Sequence, residues 1–210
     1  MIFDDISQAL QKGRRKEVET LVQQAIDEKL PAKEILDNGL LAAMDIIGVK
    51  FKNNEIYVPD VLVAARAMNA GAALLKPLLV ADGVKSIGKV VIGTVLGDLH
   101  DIGKNLVKMM MEGKGFEVID LGVNIPADQF VQAAIDNNAE IIACSALLTT
   151  TMGEMANVVN VAVEKGVRDK VTIMIGGAPV NESFKNSIGA DIYTADAASA
   201  AEEAAKVVLN

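Results

Sequence analysis

The sequence is poor in several residue types, and each shortage excludes a class of site or fold. Of its 210 residues only 3% are aromatic, there is no Trp, and there is one cysteine, Cys144, and one histidine, His100. A single cysteine excludes an internal disulfide and any zinc site built from cysteines. We therefore expect Cys144 to be a buried strand residue. With so few aromatics, the core must consist of Ala, Val, Ile, Leu and Met, as is typical of helix bundles and parallel α/β sheets.

The charge balance and the apolar runs limit the kinds of partner. The net charge of −8 makes nucleic acid or an anionic membrane surface an unfavourable partner. We expect no apolar run to approach the roughly 18 residues that span a bilayer, and so no membrane partner. The first residues, Met1 to Asp5, are acidic where a signal peptide would be basic. We expect a cytoplasmic protein.

The first part of the chain, residues 1–82, has the apolar spacing of helices. Residues 15–30 place apolar side chains on one stripe, and a short helix is predicted before them over 4–12. Pro31 and Pro59 each fit the first turn of a further helix, because the N–H that proline lacks has no partner in that turn. About four helices joined by short loops favour antiparallel neighbours, so the pattern predicts a four-helix bundle.

Beyond this part the pattern changes. Residues 83–88, within the Gly-containing stretch from Val80 to Gly88, are predicted to be a linker. In residues 89–210 continuous apolar runs alternate with helical segments, which is typical of parallel strands covered on both faces. Strands are predicted over 90–95, 118–121, 141–146, 171–175 and 192–195, and helices over 102–112, 127–137, 153–165, 181–187 and 197–209. We expect an α/β fold with a doubly wound five-stranded parallel sheet, of flavodoxin-like order 2-1-3-4-5.

Three chemically different signals meet at one edge of this predicted sheet. The loop 97–105 follows strand 1 and holds Asp98 and His100, strand 3 runs into hydroxyl groups over 145–151, and strand 4 ends in the glycines 176–177. Ligands bind at this edge of open α/β sheets. An imidazole beside a carboxylate can be a metal ligand with an orienting partner, or half of an acid/base pair, and the loop alone does not decide between them. The lack of a second histidine, a cysteine cluster or a suitably spaced nucleophile argues against hydrolase and zinc sites.

The spacing of these residues resembles the cobalamin-binding signature. The matching residues are Asp98, His100 and Gly103, then after 41 residues Ser145 and Leu147, and after a further 28 residues Gly176 and Gly177. Asp-x-His-x-x-Gly alone should arise by chance in on the order of one chain in a hundred of this length, and the set distances make coincidence much rarer. The helical part resembles the cap bundle of methionine synthase. Nearly the whole chain is covered, and it resembles the methyl-carrier corrinoid proteins of anaerobic methanol, methylamine and methoxyarene methyltransferase systems.

The resemblance implies a role for each residue of the loop. His100 would be the lower axial ligand of cobalt, in place of the cofactor's own dimethylbenzimidazole (the base-off, His-on form). Asp98 would bind the other imidazole nitrogen and orient the ring. The alternative for Asp98 is a helix N-cap, for which Asp101 is the better candidate. Thr151 stands where the family has a serine that completes an Asp-His-hydroxyl relay, and Thr149 is a competing hydroxyl donor.

Further residues are implied to contact the cofactor. Small groups after strands 3 and 4 would leave room for its nucleotide tail, although a tight turn is an equal explanation for a pair of glycines. In the helical part, Tyr57 and, less strongly, Val61, Ala64 and Met68 would cover the upper corrin face, with ordinary bundle core as the alternative. The predicted cofactor-binding residues outside the relay are Asp101, Ile102, Gly103, Ser145, Leu147, Thr149, Gly176, Gly177, Tyr57 and Met68.

The resemblance also implies the cofactor and the partners. The cofactor would be cobalamin or a related corrinoid, passing between cob(I)alamin and methylcobalamin in anaerobic one-carbon metabolism. The partners would be a substrate-specific methyltransferase, an acceptor methyltransferase that loads tetrahydrofolate or a thiol, and a reductive activator. The chain would be a carrier subunit rather than an enzyme with its own substrate pocket, so the donor stays open among methanol, methylamines, a betaine and methoxyarenes. The alternatives are an adenosylcobalamin-binding mutase subunit, which normally lacks the bundle, and a cobalamin-sensing regulator, which needs an output domain.

Overall fold

The structure is a computed structural model that describes residues 1–209, and it forms two compact units. The first unit contains Met1–Ser86 with Gly113–Gly115. The second contains Ile87–Glu112 and the described residues from Phe116 onward. The division into 1–82, 83–88 and 89–210 stays a prediction, and residue 210 lies outside the described residues.

The first unit is helical. Its helices are α1 (Ile2–Gln11), α2 (Arg15–Asp27), α3 (Ala32–Glu34), α4 (Ala42–Lys52) and α5 (Val58–Ala81). A π-helical stretch, Ile35–Leu41, joins α3 to α4 without a break, so the unit has four successive helical segments in the described residues. Pro59 lies in the first turn of α5, as predicted, whereas Pro31 is the N-cap residue of α3, one position before its first turn.

Close helix approaches in this unit occur at glycines. A Cβ atom at Gly39 would lie 3.1 Å from Cγ2 of Ile6, so the π-helical stretch brings its backbone against α1. A Cβ atom at Gly71 of α5 would lie 3.1 Å from side-chain atoms of both Leu40 and Val18. The π-helical stretch was not predicted, because one extra residue in a turn leaves the apolar stripes on either side of it readable as ordinary helix.

The long helix α5 requires a correction to the expectation about apolar runs. Its 24 residues are apolar enough, by length and composition, to cross a membrane. Core helices meet the same criterion, and α5 has the burial of a core helix: Val61, Ala64 and Leu75 are fully buried and α5 packs against α2. A single helix of this kind is weak evidence for a membrane span.

The second unit is a doubly wound α/β domain. Its strands are β1 (Lys89–Thr94), β2 (Glu117–Asp120), β3 (Ile141–Ser145), β4 (Thr172–Gly176) and β5 (Ile192–Tyr193). All adjacent pairs are parallel, in the order β2-β1-β3-β4-β5, so the predicted sheet and its order are confirmed. The helices are α6 (Ile102–Gly113), α7 (Ala127–Asn137), α8 (Glu154–Glu164), α9 (Glu182–Ile188) and α10 (Ala197–Leu209), with a 3-10 turn at Arg168–Lys170.

The register of the central strands brings their following loops to one level. Thr94, the last residue of β1, pairs with Ser145, the last residue of β3. Ser145 in turn pairs with Gly176, the last residue of β4. The loops that carry the three sequence signals therefore begin side by side. Cys144 is buried in β3, as expected, and its burial raises the pKa of the thiol to about 12.

The segment that includes the predicted linker, residues 83–88, lies between the end of α5 and the start of β1. Helix α5 continues to Ala81, so the stretch from Val80 to Gly88 begins inside a helix. Gly88 packs within the second unit, because a Cβ atom there would lie 2.8 Å from Cγ1 of Val208. Between these points Gly83 has a positive φ of 67° and open space around its Cα hydrogen.

Candidate functional site

The loop between β1 and α6 holds the imidazole of His100 by one of its two nitrogens. Nδ1 lies 2.7 Å from Oδ1 of Asp98, and the backbone carbonyl of His100 accepts a hydrogen bond from the Thr94 hydroxyl at 2.8 Å. An ionised carboxylate can only accept, so the hydrogen of the neutral ring lies on Nδ1 and the lone pair on Nε2. The side chain is 52% exposed, and among residues 1–209 Nε2 has no hydrogen-bond partner. The ring is therefore oriented so that the unprotonated Nε2, which can donate its lone pair to a metal, is free.

The carboxylate that orients the ring is buried and fully hydrogen-bonded. Asp98 is 0% exposed, and its Oδ1 also accepts from the backbone N–H of His100 at 3.0 Å. Its Oδ2 accepts from the backbone N–H groups of Leu147 at 2.8 Å and Leu148 at 3.2 Å. The Thr151 hydroxyl donates to the same oxygen at 2.9 Å. Burial by itself raises the pKa of the Asp98 carboxyl, but the hydrogen bonds from His100, Leu147 and Thr151 outweigh burial and hold this pKa well below its usual range.

Thr151 is the hydroxyl that the structure brings to Asp98. The side chain is buried, and its Oγ1 also lies 3.1 Å from the carbonyl oxygen of Leu148. A Cβ atom at Gly97 would lie 3.4 Å from the Thr151 methyl group, so this methyl group lies beside the loop. The competing candidate, Thr149, is exposed and is not among the donors to Asp98 in the described residues. The imidazole, carboxylate and hydroxyl thus form one continuous chain.

The glycines near this chain differ in what they allow. A Cβ atom at Gly177, where φ is +133°, would lie 1.8 Å from the carbonyl oxygen of Ala146, so the approach of two backbones requires glycine there. This contact agrees with the tight-turn explanation, and a role in holding a ligand stays a prediction. Gly103 has nothing within 4 Å of a Cβ atom, and Gly176 has only the carbonyl oxygen of Thr194 at 3.7 Å. Both leave open space at the sheet edge.

Exposed apolar side chains surround His100. Leu99 is 70% and Ile102 75% exposed, and Leu147 and Leu148, whose N–H groups bind Asp98, are also exposed. Exposed apolar groups that cluster in this way mark binding surfaces. The sequence pointed to Ile102 and Leu147 and missed Leu99 and Leu148, although apolar residues within a polar loop were a usable signal.

The other predicted residues are more scattered. Asp101 lies just before α6, and its carboxylate accepts from the Asn105 side chain at 3.1 Å. In the first unit Tyr57 is exposed and precedes α5, where its backbone N–H donates to Asp60 at 2.9 Å. The remaining three cap candidates are buried, as bundle-core residues are: Val61, Ala64 and Met68.

The loop after β2 contributes contacts that the sequence did not indicate. The Gly97 N–H donates to Oδ1 of Asn124 at 2.7 Å, and the Asn124 N–H donates to the carbonyl of Asp98 at 3.0 Å. Asp120, which had no assigned role, accepts from the almost fully buried Lys104 at 2.7 Å. Burial by itself raises the pKa of the Asp120 carboxyl, but Lys104 and the Gly122 N–H outweigh it and lower this pKa. The sequence offered only one indication of these contacts, namely that the residues involved lie at or after the ends of the neighbouring strands β1 and β2.

The side chains that could act as metal ligands determine what kind of group can bind at His100. Within residues 1–209 no three His, Cys, Asp or Glu side chains are placed to hold a metal ion together. The single exposed nitrogen Nε2 of His100 would suit a metal that a macrocycle already holds. The exposed apolar side chains of Leu99 and Ile102 and the open space at Gly103 would suit an organic ring. The residues present fit a corrinoid.

Comparison with known proteins agrees with this fit in both parts of the chain. Residues 88–205 match a family described as the B12 binding domain, and residues 2–76 match a second family with the same description. A corrinoid protein of Desulfitobacterium hafniense (strain Y51) is 39% identical over 210 residues, which covers 99% of this chain and 97% of that protein. The dimethylamine corrinoid protein of Methanosarcina barkeri is 39% identical over 209 residues, with coverage of 99% and 97%.

A solved structure has the same fold over the whole chain. The methanol:cobalamin methyltransferase complex from Methanosarcina barkeri contains a chain that matches with a TM-score of 0.90 and 28% identity, over 100% of this chain and 80% of that one. The expected fold, family and corrinoid cofactor are confirmed. The chain belongs to the family of cobalamin-binding, methyl-carrier corrinoid proteins.

Proposed function

We propose that this protein carries a methyl group between two methyltransferases, with His100 as the lower axial ligand of cobalt in the base-off, His-on form. When bound, the corrinoid supplies a cobalt ion that takes a methyl group from a donor and gives it to an acceptor. The observation that carries the proposal is the exposed Nε2 of His100, with Nδ1 bonded at 2.7 Å to a fully buried Asp98. That arrangement presents a lone pair and makes the ring more electron-donating.

The chain Asp98–His100–Thr151 would hold the imidazole in one orientation and one tautomer. The hydrogen bonds to Asp98 hold the pKa of its carboxyl low, so this group stays ionised and accepts from Nδ1. The lone pair of Nε2 would then stay available to cobalt. The Thr151 hydroxyl donates to Asp98 and helps to hold the carboxylate in place.

Other residues would hold the rest of the cofactor. Leu99 and Ile102 offer an apolar surface beside His100, and Gly103 leaves room for a close approach. Ser145 and Gly176, which pair at the ends of β3 and β4, would border the nucleotide tail. Residues 1–82 would cover the upper face, with Tyr57 as the exposed candidate, and residues 83–88 would be the hinge on which this cover moves.

The partners follow from the carrier role. A substrate-specific methyltransferase would supply the methyl group, an acceptor methyltransferase would pass it to tetrahydrofolate or a thiol, and a reductive activator would restore oxidised cobalt. The dimethylamine corrinoid relative, at 39% identity, supports a methylated amine as the donor, with methanol second. The net charge of −8 fits exchange among proteins in the cytoplasm.

Reconstitution with hydroxocobalamin tests the ligand assignment. The wild-type protein should retain the cofactor after gel filtration, with an absorption spectrum of the base-off, histidine-ligated form. Because His100 is the only histidine, the variant His100→Ala removes every possible histidine ligand. Its spectrum should change to that of a base-off form with water as the ligand. Identical spectra for the two proteins contradict the assignment.

Methyl transfer tests the carrier role separately. The reduced holoprotein should become methylated when it is mixed with a candidate methyltransferase and dimethylamine or methanol, and should lose the label to an acceptor methyltransferase. Isotope-labelled donor methyl groups measure both steps. A holoprotein that binds cobalamin through His100 but accepts no methyl group from any methylated amine or alcohol contradicts the carrier role alone.

A further inference from the structure

Asn124, in the loop between β2 and α7, holds the two peptide groups on either side of the Gly97–Asp98 peptide bond, in the loop that carries Asp98. Its side-chain Oδ1 accepts from the N–H of Gly97 at 2.7 Å. Its own N–H donates to the carbonyl oxygen of Asp98 at 3.0 Å. Asn124 has a positive φ of 59°, a conformation that asparagine tolerates better than most residues. That conformation lets one residue present both its backbone and its side chain to the neighbouring loop.

Apart from Asn124, the backbone N–H of Gly97 and carbonyl of Asp98 have no hydrogen-bond partner on another element among residues 1–209, although the Asp98 side chain is firmly held. Gly97 has a φ of +82°, and of the atoms around it only the Thr151 methyl group would come within 4 Å of a Cβ. The Asp98 N–H donates to the carbonyl of Val95 at 3.1 Å, which closes a turn but does not fix it to another element. The backbone contact to a second element at Gly97 and at the Asp98 carbonyl comes from Asn124.

The loop that carries Asn124 is itself firmly attached. Asp120, at the end of β2, binds Lys104 of α6 at 2.7 Å and the N–H of Gly122 at 2.9 Å. The N–H of Thr94 donates to Gly122, and that of Ile125 donates to Thr94, both at 3.0 Å. Because the loop that carries Asn124 is attached at several points, its contacts can fix the backbone of the loop that carries Gly97 and Asp98.

We propose that Asn124 is a positioning residue, which fixes the backbone at Gly97 and Asp98 and thereby sets the Nδ1–Asp98 hydrogen bond of His100. The inference rests on the proposed role of His100 as the cobalt ligand. The buried carboxylate is held at one end by the N–H groups of Leu147 and Leu148. Asn124 holds the other end, the main chain between the carboxylate and strand β1.

The variants separate the side-chain contact from the backbone conformation. Asn124→Gly keeps a residue that adopts positive φ readily and removes only the acceptor. Asn124→Asp keeps an acceptor oxygen in the same place. Asn138→Gly is the matched control, since Asn138 is also exposed, has a φ of +51° in the same unit, and makes no side-chain hydrogen bond within residues 1–209.

The first readout is the tautomer of the only histidine in the cofactor-free protein, at a pH where the ring is neutral. In wild type and in Asn138→Gly, nitrogen NMR should show the hydrogen on Nδ1. In Asn124→Gly a second population with the hydrogen on Nε2 should appear, and exchange of the Gly97 amide hydrogen should become at least about tenfold faster. Asn124→Asp should restore the wild-type spectrum.

The second readout is the binding of hydroxocobalamin through histidine. Removal of partners that orient metal-binding histidines weakens ligation by about tenfold to a hundredfold, and Asn124 acts one residue further away. We therefore expect the affinity for hydroxocobalamin bound through histidine to fall roughly threefold to tenfold in Asn124→Gly and to stay unchanged in Asn138→Gly. Equal behaviour of these two variants, or a failure of Asn124→Asp to restore the tautomer, overturns the inference. If the wild type lacks histidine ligation, the proposed function fails, while the tautomer measurement still tests Asn124.

Discussion

The Nδ1 atom of His100 lies 2.7 Å from Oδ1 of Asp98, in a pair of which one member is half exposed and the other fully buried. The buried member has its hydrogen-bond donors in place before any ligand arrives. The exposed member has a free nitrogen. On the proposed function, this division would let the loop present a single metal ligand with a fixed direction, and it leads to predictions for each part of the site.

Replacing Asp98 should damage both stability and ring orientation. In Asp98→Asn one side-chain atom becomes an NH2 group, which faces donors on either side and leaves buried groups unpaired. We expect a loss of roughly 2–4 kcal/mol in the free energy of unfolding, since hydrogen bonds to a charged group contribute about 1.5–3 kcal/mol each. Urea denaturation of the cofactor-free protein measures this loss. A change below about 0.5 kcal/mol, the usual range for surface substitutions, contradicts the buried network.

The pH dependence of stability should contain the contribution of Asp98. Its folded-state pKa is held below the usual range, so the contribution is complete above the unfolded-state pKa of about 3.9 and is lost as the pH falls towards the folded-state pKa. The difference in unfolding free energy between wild type and Asp98→Asn should shrink as the pH falls below about 4. Urea titrations at several pH values below about 5 measure it. A difference that grows as the pH falls below about 4 has the wrong sign for this account.

Thr151 offers a test of the hydroxyl alone. Thr151→Val preserves the shape and removes one donor to Asp98, which should cost about 1–2 kcal/mol of unfolding free energy. Thr151→Ser restores the donor and loses only the methyl group beside Gly97, so its stability should stay within about 1 kcal/mol of wild type. Thermal and urea unfolding of both variants make the comparison. If valine and serine are equally stable, the hydrogen bond to Asp98 contributes nothing.

The ion pair of Lys104 and Asp120 should have a larger coupling free energy than an exposed ion pair has. Lys104 is 2% exposed and Asp120 is partly exposed with Lys108 as a second partner, so Lys104→Met should cost about 1–3 kcal/mol, less than for a fully buried pair. A double-mutant cycle with Asp120→Asn should give a coupling of at least about 1 kcal/mol. The exposed lysine of the Lys33–Asp37 pair is the matched control, and Lys33→Met should change stability by less than about 0.5 kcal/mol. A coupling no larger than that control is the contrary result.

The fold was predicted well from the sequence because parallel strands that are covered on both faces consist of continuous runs of apolar residues. The ends of strands were less accurate, since hydrogen bonding and not apolar character defines them. Strand 5 was predicted over 192–195, but only Ile192 and Tyr193 pair with β4. The candidate site residues Asp98, His100 and Thr151 were predicted from the family resemblance, and the structure places Asp98 in hydrogen-bond contact with the other two.

What the sequence missed has a common physical cause. Asn124 acts through a left-handed backbone conformation and its two hydrogen bonds to a neighbouring loop. Neither feature produces a periodic pattern or a bias in composition that could be recognised in the sequence. Lys104 would ordinarily be taken for a solvated lysine on a helix, and only the fold shows that Asp120 lies opposite it. Contacts between loops depend on strand order and register, which single residues do not encode.

Electron paramagnetic resonance of the cobalt(II) holoprotein tests the central claim most directly. A nitrogen ligand on the lower face splits the cobalt lines, into triplets for ordinary nitrogen and doublets for nitrogen-15. Because His100 is the only histidine, protein grown with nitrogen-15 histidine and loaded with unlabelled cobalamin labels this one ligand. The account predicts that triplets become doublets. Triplets that persist in the labelled protein would mean that the cofactor's own base, and not His100, binds the cobalt.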